Sequence, residues 1–280
     1  LHLVHHIQLE YQTVGLFQLG LMYLYGNSYP QDVNKGLEMI NDAGKLYPSA
    51  YTFLGITYLE GEIVPRDIDK GIKYLEKAAR LNEDNALIQL SNIYLNYNFV
   101  PQNINKAIRL LKKAVEKNNS EAMLHLGIIY LGTSFVNADF QKAFALLSKA
   151  SELGNANATA FLGLMYENGD GIKQDRRKAL QFYLKATSGN SSIAHFFLGR
   201  QYLSGEIVKA NIKEAISHFT LAAEAGHVEA INKLVEIYLD EKSSAYNPEK
   251  GLAYIKTLFE DKEISGYYLM GRELIQGKYY

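Results

Sequence analysis

The 280-residue chain has no cysteine, no tryptophan and only five prolines. The missing cysteine excludes disulfides and thiolate metal sites, and it suits a reducing or an oxidising compartment equally. Neither sign of charge dominates: 29 Lys and Arg stand against 30 Asp and Glu, for a net charge of -1, with no block of like charges. Phosphate binding needs a concentrated basic face, so nucleic acid is not an expected partner. No stretch reaches the roughly 18 apolar residues of a membrane span. There is no Gly-rich phosphate loop, no His-Glu-x-x-His and no Gly-x-Ser-x-Gly, so no enzymatic activity, cofactor or metal is expected. The chain begins at Leu1, not Met, which leads us to expect a signal peptide, a lipoprotein anchor or further repeats upstream. On that reading a periplasmic or secreted location is favoured over a cytoplasmic one.

What the chain has is a composition that rules against disorder, 48% hydrophobic and 12% aromatic, and a regular beat. A tyrosine recurs at Tyr23, Tyr58, Tyr94, Tyr130, Tyr166, Tyr202 and Tyr238, with one interval of 35 residues and five of 36. A glycine stands three residues earlier at Gly20, Gly55, Gly127, Gly163, Gly199 and Gly271, with Ser91 and Val235 as exceptions. Nine residues after each tyrosine comes Asp32, Asp67, Asn103, Asp139, Asp175, Asn211 or Asn247. A fixed period over seven units specifies one array of equal units over 1–280. We place the repeats at about 15–48, 49–84, 85–120, 121–156, 157–192, 193–228 and 229–264, with a partial unit at 265–280.

The fifth unit is the clearest. Ala158, Leu162 and Tyr166 lie four residues apart on one stripe of a helix. Gly169 and Gly171 end that helix in a turn, and Asp175 offers its carboxylate to the free amides of a second helix. The second helices are amphipathic, as Ile68, Ile72, Leu75 and Ala78 show. A small residue four positions after the cap (Gly36, Gly71, Ala107, Ala143, Ala179, Ala215, Gly251) implies a helix crossing too close for a larger side chain. Asn82, Asn118, Gly154, Asn190 and Gly226 then accept the left-handed conformation that ends a helix. The first unit is one residue short, and the deletion falls between Ala43 and Ala50, in a turn expected to hold Pro48. Stacked pairs of this kind predict an all-α solenoid of seven full pairs and a last helix at roughly Gly266 to Gln276.

This pattern resembles the Sel1-like repeat, a 36-residue relative of the tetratricopeptide repeat. Ala158, Leu162-Gly163, Tyr166, Gly169-Asp170-Gly171, Asp175, Lys178-Ala179 and Lys185-Ala186 match the family's pattern almost in full. Units three and seven lose the glycine of the Leu-Gly pair and the loop glycine. The resemblance implies a right-handed superhelix of stacked helix-turn-helix repeats. It also implies a non-enzymatic scaffold or adaptor that binds another protein. The alternative it leaves open is an extracytoplasmic bacterial protein that organises envelope or polysaccharide machinery, or a secreted effector.

Isolated polar residues read as structure more readily than as chemistry. His2, His5 and His6 suggest a frayed helical end, because imidazoles with no acidic residue beside them except Glu10 make a poor zinc site. His125 and His195 sit at different helical positions 70 residues apart and read as surface or partly packed side chains. Asp67 and Asp69 read as a cap and an exposed first-turn carboxylate. Asn157 begins a glycosylation sequon, but on a helix that packs at Ala158. A glycan-binding site would need exposed aromatics, for which Tyr97, Phe135 and Tyr246 are the candidates.

The more informative positions lie two and six residues after the alanine of each first helix, opposite the core stripe. The resemblance places that face in a concave groove. They carry Phe17 and Leu21, Thr52 and Ile56, Ile88 and Asn92, Leu124 and Ile128, Ala160 and Leu164, Phe196 and Arg200, then Asn232 and Glu236. Tyr268 and Arg272 follow in the partial unit. The strip is apolar at most of its positions in the first five units and carries charge beyond them. A partner's peptide or helix would be held by Ile56, Ile88, Leu124, Ile128 and Leu164, with Arg200 and Glu236 reading polar groups at one end.

Overall fold

The computed structural model describes residues 2–95, 100–132 and 136–260. Over these the chain forms fourteen α-helices that alternate as first and second helices of successive pairs. The pairs are α1 (His2–Tyr25) with α2 (Val33–Ala43), α3 (Pro48–Glu60) with α4 (Ile68–Arg80), and α5 (Asp84–Leu95) with α6 (Ile104–Glu116). Then come α7 (Ser120–Tyr130) with α8 (Phe140–Glu152), α9 (Ala156–Asn168) with α10 (Arg176–Thr187), α11 (Ser192–Ser204) with α12 (Ile212–Glu224), and α13 (Val228–Leu239) with α14 (Pro248–Glu260). The chain divides into two compact units within α7, one ending at Leu126 and the other beginning at Gly127. The expected last helix, the histidines at 2, 5 and 6, Tyr97 and Phe135 lie outside the residues whose side chains are described.

The nine-residue interval between tyrosine and cap is a hydrogen bond. The backbone N–H of Asp67 donates to the carbonyl of Tyr58 at 2.9 Å, and the same bond runs from Asn103 to Tyr94, Asp175 to Tyr166 and Asn247 to Tyr238. The side chain of the same residue then accepts from the third amide of the second helix, as Asp67 does from Lys70 at 2.9 Å and Asp175 from Lys178 at 2.9 Å. One residue therefore closes the loop with its backbone and caps the next helix with its side chain.

The second helices pack on the first through the small residues the sequence singled out. Ala107, Ala143, Ala179 and Ala215 are fully buried, as are the alanines two turns on: Ala43, Ala78, Ala114, Ala150 and Ala222. In the first pair the crossing is a contact between glycine backbones: a β-carbon on Gly36 would lie 2.8 Å from the Gly20 carbonyl oxygen. Leu54, Leu75, Leu111, Leu147, Tyr183 and Phe219 are buried as well, with Leu75, Leu147, Tyr183 and Phe219 lying against the glycine of the first helix in their own pair. After each second helix the chain turns through a left-handed residue: Asn82 (φ 57°), Asn118 (φ 61°), Gly154 (φ 89°), Asn190 (φ 54°) and Gly226 (φ 80°).

The first repeat departs from this rule, and the expectation for Pro48 is corrected. Pro48 is the first residue of α3, capped by Tyr47, where its missing N–H costs nothing. The residue deleted from the 36-residue unit is the left-handed one. Gly44, which follows α2, is right-handed at φ -58°, and Tyr47 N–H returns to the Ala43 carbonyl at 2.8 Å.

Candidate partner face on the first helices

The first helices are apolar nearly all round, so burial decides which residues they offer to a partner. Two proposed contacts are corrected on that ground. Leu124 is only 3% exposed and Ile88 only 7%, so neither reaches solvent. Thr52 and Ala160, at the same position in their repeats, are buried as well, and the Thr52 hydroxyl donates to a Glu83 carboxylate oxygen at 2.6 Å. The position two residues after the alanine is thus mostly core.

The position six after it differs. Leu21, Ile56 and Asn92 in the first unit and Ile128, Leu164 and Arg200 in the second are half-buried, and Glu236 is exposed. Phe17 and Phe196 are half-buried too, each held among other rings. Phe17 lies 5.4 Å from Tyr47 and 5.7 Å from Phe53. Phe196 stacks on His227 at 4.5 Å and lies 5.9 Å from Phe219. Glu236 pairs with Lys233 at 2.6 Å on its own helix. The amide oxygen of half-buried Asn232 is enclosed and accepts no hydrogen bond.

Arg200 is the best anchored charge of the set. Its guanidinium reaches Glu167 at 3.5 Å and lies over the Phe197 ring at 5.8 Å. Glu167 also accepts a short hydrogen bond from the hydroxyl of fully buried Tyr183. Burial, reinforced by that carboxylate, raises the Tyr183 hydroxyl far above the usual tyrosine range, so it stays a donor. Leucine occupies the place of Glu167 in every other repeat and the place of Tyr183 in three of them, so the relay from Tyr183 through Glu167 to Arg200 belongs to this repeat junction alone.

Sequence reasoning missed what lies over the tyrosines. In six repeats the third residue of the second helix is a lysine whose ammonium sits above the tyrosine ring: Lys35 over Tyr23 at 4.0 Å, Lys70 over Tyr58 at 4.2 Å, Lys106 over Tyr94 at 4.1 Å and Lys178 over Tyr166 at 4.1 Å. Lys142 and Lys250 take the same place at 5.5 and 5.6 Å. The hydrogen bond to Tyr58 raises the Lys70 ammonium above its ordinary value, and Tyr23 does the same for Lys35. In the sixth repeat that lysine is replaced by Glu214, and Tyr202 stacks on His218 at 5.5 Å instead. His195 faces His218, not the distant His125, with 3.0 Å between the two Nδ1 atoms. His125 instead stands 3.3 Å from Glu121 on its own helix.

The first unit also holds an open cleft of about 850 Å³ between α2 and the loop into α4, lined by Val33, Leu37, Ile63, Val64, Ile68 and the rim charges Asp69 and Lys70. It bears none of the expected contact residues. Among the described residues no group of three or more His, Asp or Glu gathers around one point, and no helix is long and apolar enough to cross a membrane.

Six segments of the chain, 13–41, 48–83, 85–119, 120–155, 156–191 and 192–227, match the Sel1 repeat family. Among solved structures, the fold resembles a Sel1 repeat protein from Oxalobacter formigenes, 25% identical with a TM-score of 0.66 over 90% of this chain and 99% of that one. It also resembles c5321, a protective antigen of uropathogenic Escherichia coli with an SLR fold, at 24% identity and a TM-score of 0.63. That match covers 98% of this chain but only 59% of the antigen. An immunity protein, Pa5087 of Pseudomonas aeruginosa, is 19% identical with a TM-score of 0.59, over 79% of this chain and 83% of that one. No curated protein matches the chain in sequence.

Proposed function

Because this chain belongs to the Sel1 repeat family, whose members generally mediate protein–protein interaction, we propose that it is a non-catalytic scaffold binding a partner's peptide or helix along its first helices. Each unit contributes its own row: Phe17, Leu21, Ile56 and Asn92 in the first, and Ile128, Leu164, Phe196, Arg200, Asn232 and Glu236 in the second. One observation carries this reading. Ile56, Ile128 and Leu164 stay half-buried at the same repeat position while the alanine and leucine of the stripe beside them, Ala50 and Leu54, Ala122 and Leu126, and Ala158 and Leu162, are buried. Half-exposed aliphatic side chains in register suit the apolar face of a partner helix or alternate side chains of an extended one. Arg200, fixed by Glu167 and Phe197, retains guanidinium donors for a carboxylate or carbonyl at one end of the row.

The test is a pull-down from the source cell with wild type and with Ile128→Glu/Leu164→Glu, retained proteins being identified by mass spectrometry. Circular dichroism of both proteins guards against unfolding, and Arg200→Glu serves as an independent, more exposed variant. Loss of one protein from both variants supports the row. Retention of every partner by folded variants would place binding on the loops or second helices.

A further inference from the structure

The sixth repeat breaks the pattern of the others in three linked places. Elsewhere the tyrosine ring lies under a lysine, but here the equivalent residue is Glu214. The aromatic that stacks on that tyrosine from the second helix is Tyr74 in the second repeat (5.8 Å), Phe182 in the fifth (5.3 Å) and Tyr254 in the seventh (6.1 Å); here it is His218. The residue before the next first helix is Asn119, Asn155 or Ser191 in the three preceding repeats. Each of these accepts a hydrogen bond from the helix's third amide, at 2.9, 2.9 and 3.0 Å. Before α13 it is His227, whose side chain makes no such bond. The result is three half-buried imidazoles, His195, His218 and His227, around one repeat junction.

We infer that the junction of the sixth and seventh repeats is an acid-responsive joint, which holds the partner face around Phe196 and Arg200 in place at neutral pH and releases it in acid. The geometry has two parts. The His195 and His218 Nδ1 atoms, 3.0 Å apart, make a good hydrogen bond only while at least one of them lacks a proton. A second proton would set two donors and two positive charges against each other. His227 stands at the N-terminus of α13, where free amides and the helix dipole favour negative charge, so a protonated ring there is opposed by its own helix. Phe196 links the two parts. It follows His195 in the chain, stacks on the His227 ring, and lies one helical turn before Arg200.

The charged and titratable neighbours are few. α12 supplies Glu214 to the His218 side, and α11 supplies the Tyr202 ring. α13 supplies Glu229, 3.2 Å from His227 Nδ1. Neither α9 nor α10 brings a charge that acts on any of the three rings. Burial pushes all three below the usual histidine range, and for His218 and His227 it outweighs the nearby carboxylates. The folded protein therefore binds fewer protons than the unfolded chain. Stability is full above about pH 6.5, the ordinary histidine value, and falls as the pH drops below it.

The inference takes from the proposed function only what is released, and its test needs no partner. Hydrogen exchange of the full-length chain is followed by mass spectrometry from pH 7.5 to 5.0. Amides of α9 in the same sample provide the reference, so the intrinsic pH dependence of exchange cancels. Opening of α11, α12 and the start of α13 is expected to rise relative to α9 by up to about tenfold per pH unit for each extra proton the open state binds. The variant E214K/H218Y/H227N supplies the residues found in the other repeats and is expected to keep a constant ratio. E214K/H218Y and H227N are also made separately, in case the triple variant does not fold. A constant ratio in the wild type, or an undiminished acid response in folded variants, overturns the joint while leaving the partner row untouched.

Discussion

At Gly36 an added β-carbon would lie 2.8 Å from both the carbonyl oxygen of Gly20 and the amide nitrogen of Leu24. Neither is the end of a flexible side chain, so the two helices would have to part. Gly36→Ala is expected to destabilise the protein by about 1–3 kcal/mol in urea unfolding, as overpacking does. Gly154 is required for its conformation rather than for space, since φ is 89° and nothing lies near its missing β-carbon. Asn adopts a left-handed conformation at this place in three other repeats, so Gly154→Asn is expected to leave the urea midpoint nearly unchanged. Both requirements were legible in the sequence, because a small residue recurs at the one position in every unit and Asn or Gly recurs at the other from the second unit to the sixth. The burial of Leu124 and Ile88 was not. A helix that is apolar on all faces does not reveal which face its neighbours cover, and only packing between repeats separates those two from Ile128 and Leu164. The His195–His218 pair was hidden for a related reason: it joins residues 23 apart within the one repeat that lacks the lysine.

Helix ends were the most readable elements, because a cap is a local arrangement of one side chain and the amides that follow it. Asp175 shows what the sequence did not reveal. Its side chain caps α10 while its own N–H donates to the Tyr166 carbonyl at 2.9 Å, and the Lys178 ammonium returns to the Tyr166 hydroxyl at 2.7 Å. Asp175→Ala removes only the side-chain cap and is expected to cost about 1 kcal/mol by thermal or urea unfolding. Asp175→Asn, which keeps an accepting oxygen, should recover most of that. A loss well beyond this from Asp175→Ala would mean that the loop bond fails along with the cap. Pro48 was misplaced at this scale because a one-residue deletion shifts the period without saying which residue is missing.

At the scale of the whole molecule, helices within each unit pack chiefly against the next one or two in sequence, and among the described residues each turn, cap and tyrosine brace is completed within about one period. Stability of such an array is close to a sum over repeats and the contacts between neighbours. Removing residues 157–192 joins Ala156 to Ile193 in register, so that Asn155 would cap through the amide of Ala194 as it now does through Ala158. The shortened chain is expected to fold with unchanged helicity per residue and a lower melting temperature, which circular dichroism would check. Collapse to an unfolded chain would mean that the fifth repeat holds its neighbours together. The array was legible at this scale because its period is written in the residues. The proposed partner is not, because the contacts we propose for it stand at positions that vary between units.

The bond from each capping residue back to its own tyrosine has a consequence for how such a chain changes over generations. Because the brace never leaves its unit, unequal recombination between two repeats of the gene adds or removes 36 codons without stranding a cap or a carbonyl. The number of repeats can drift while every surviving loop stays closed, so the length of the array is altered by copying rather than by point mutation.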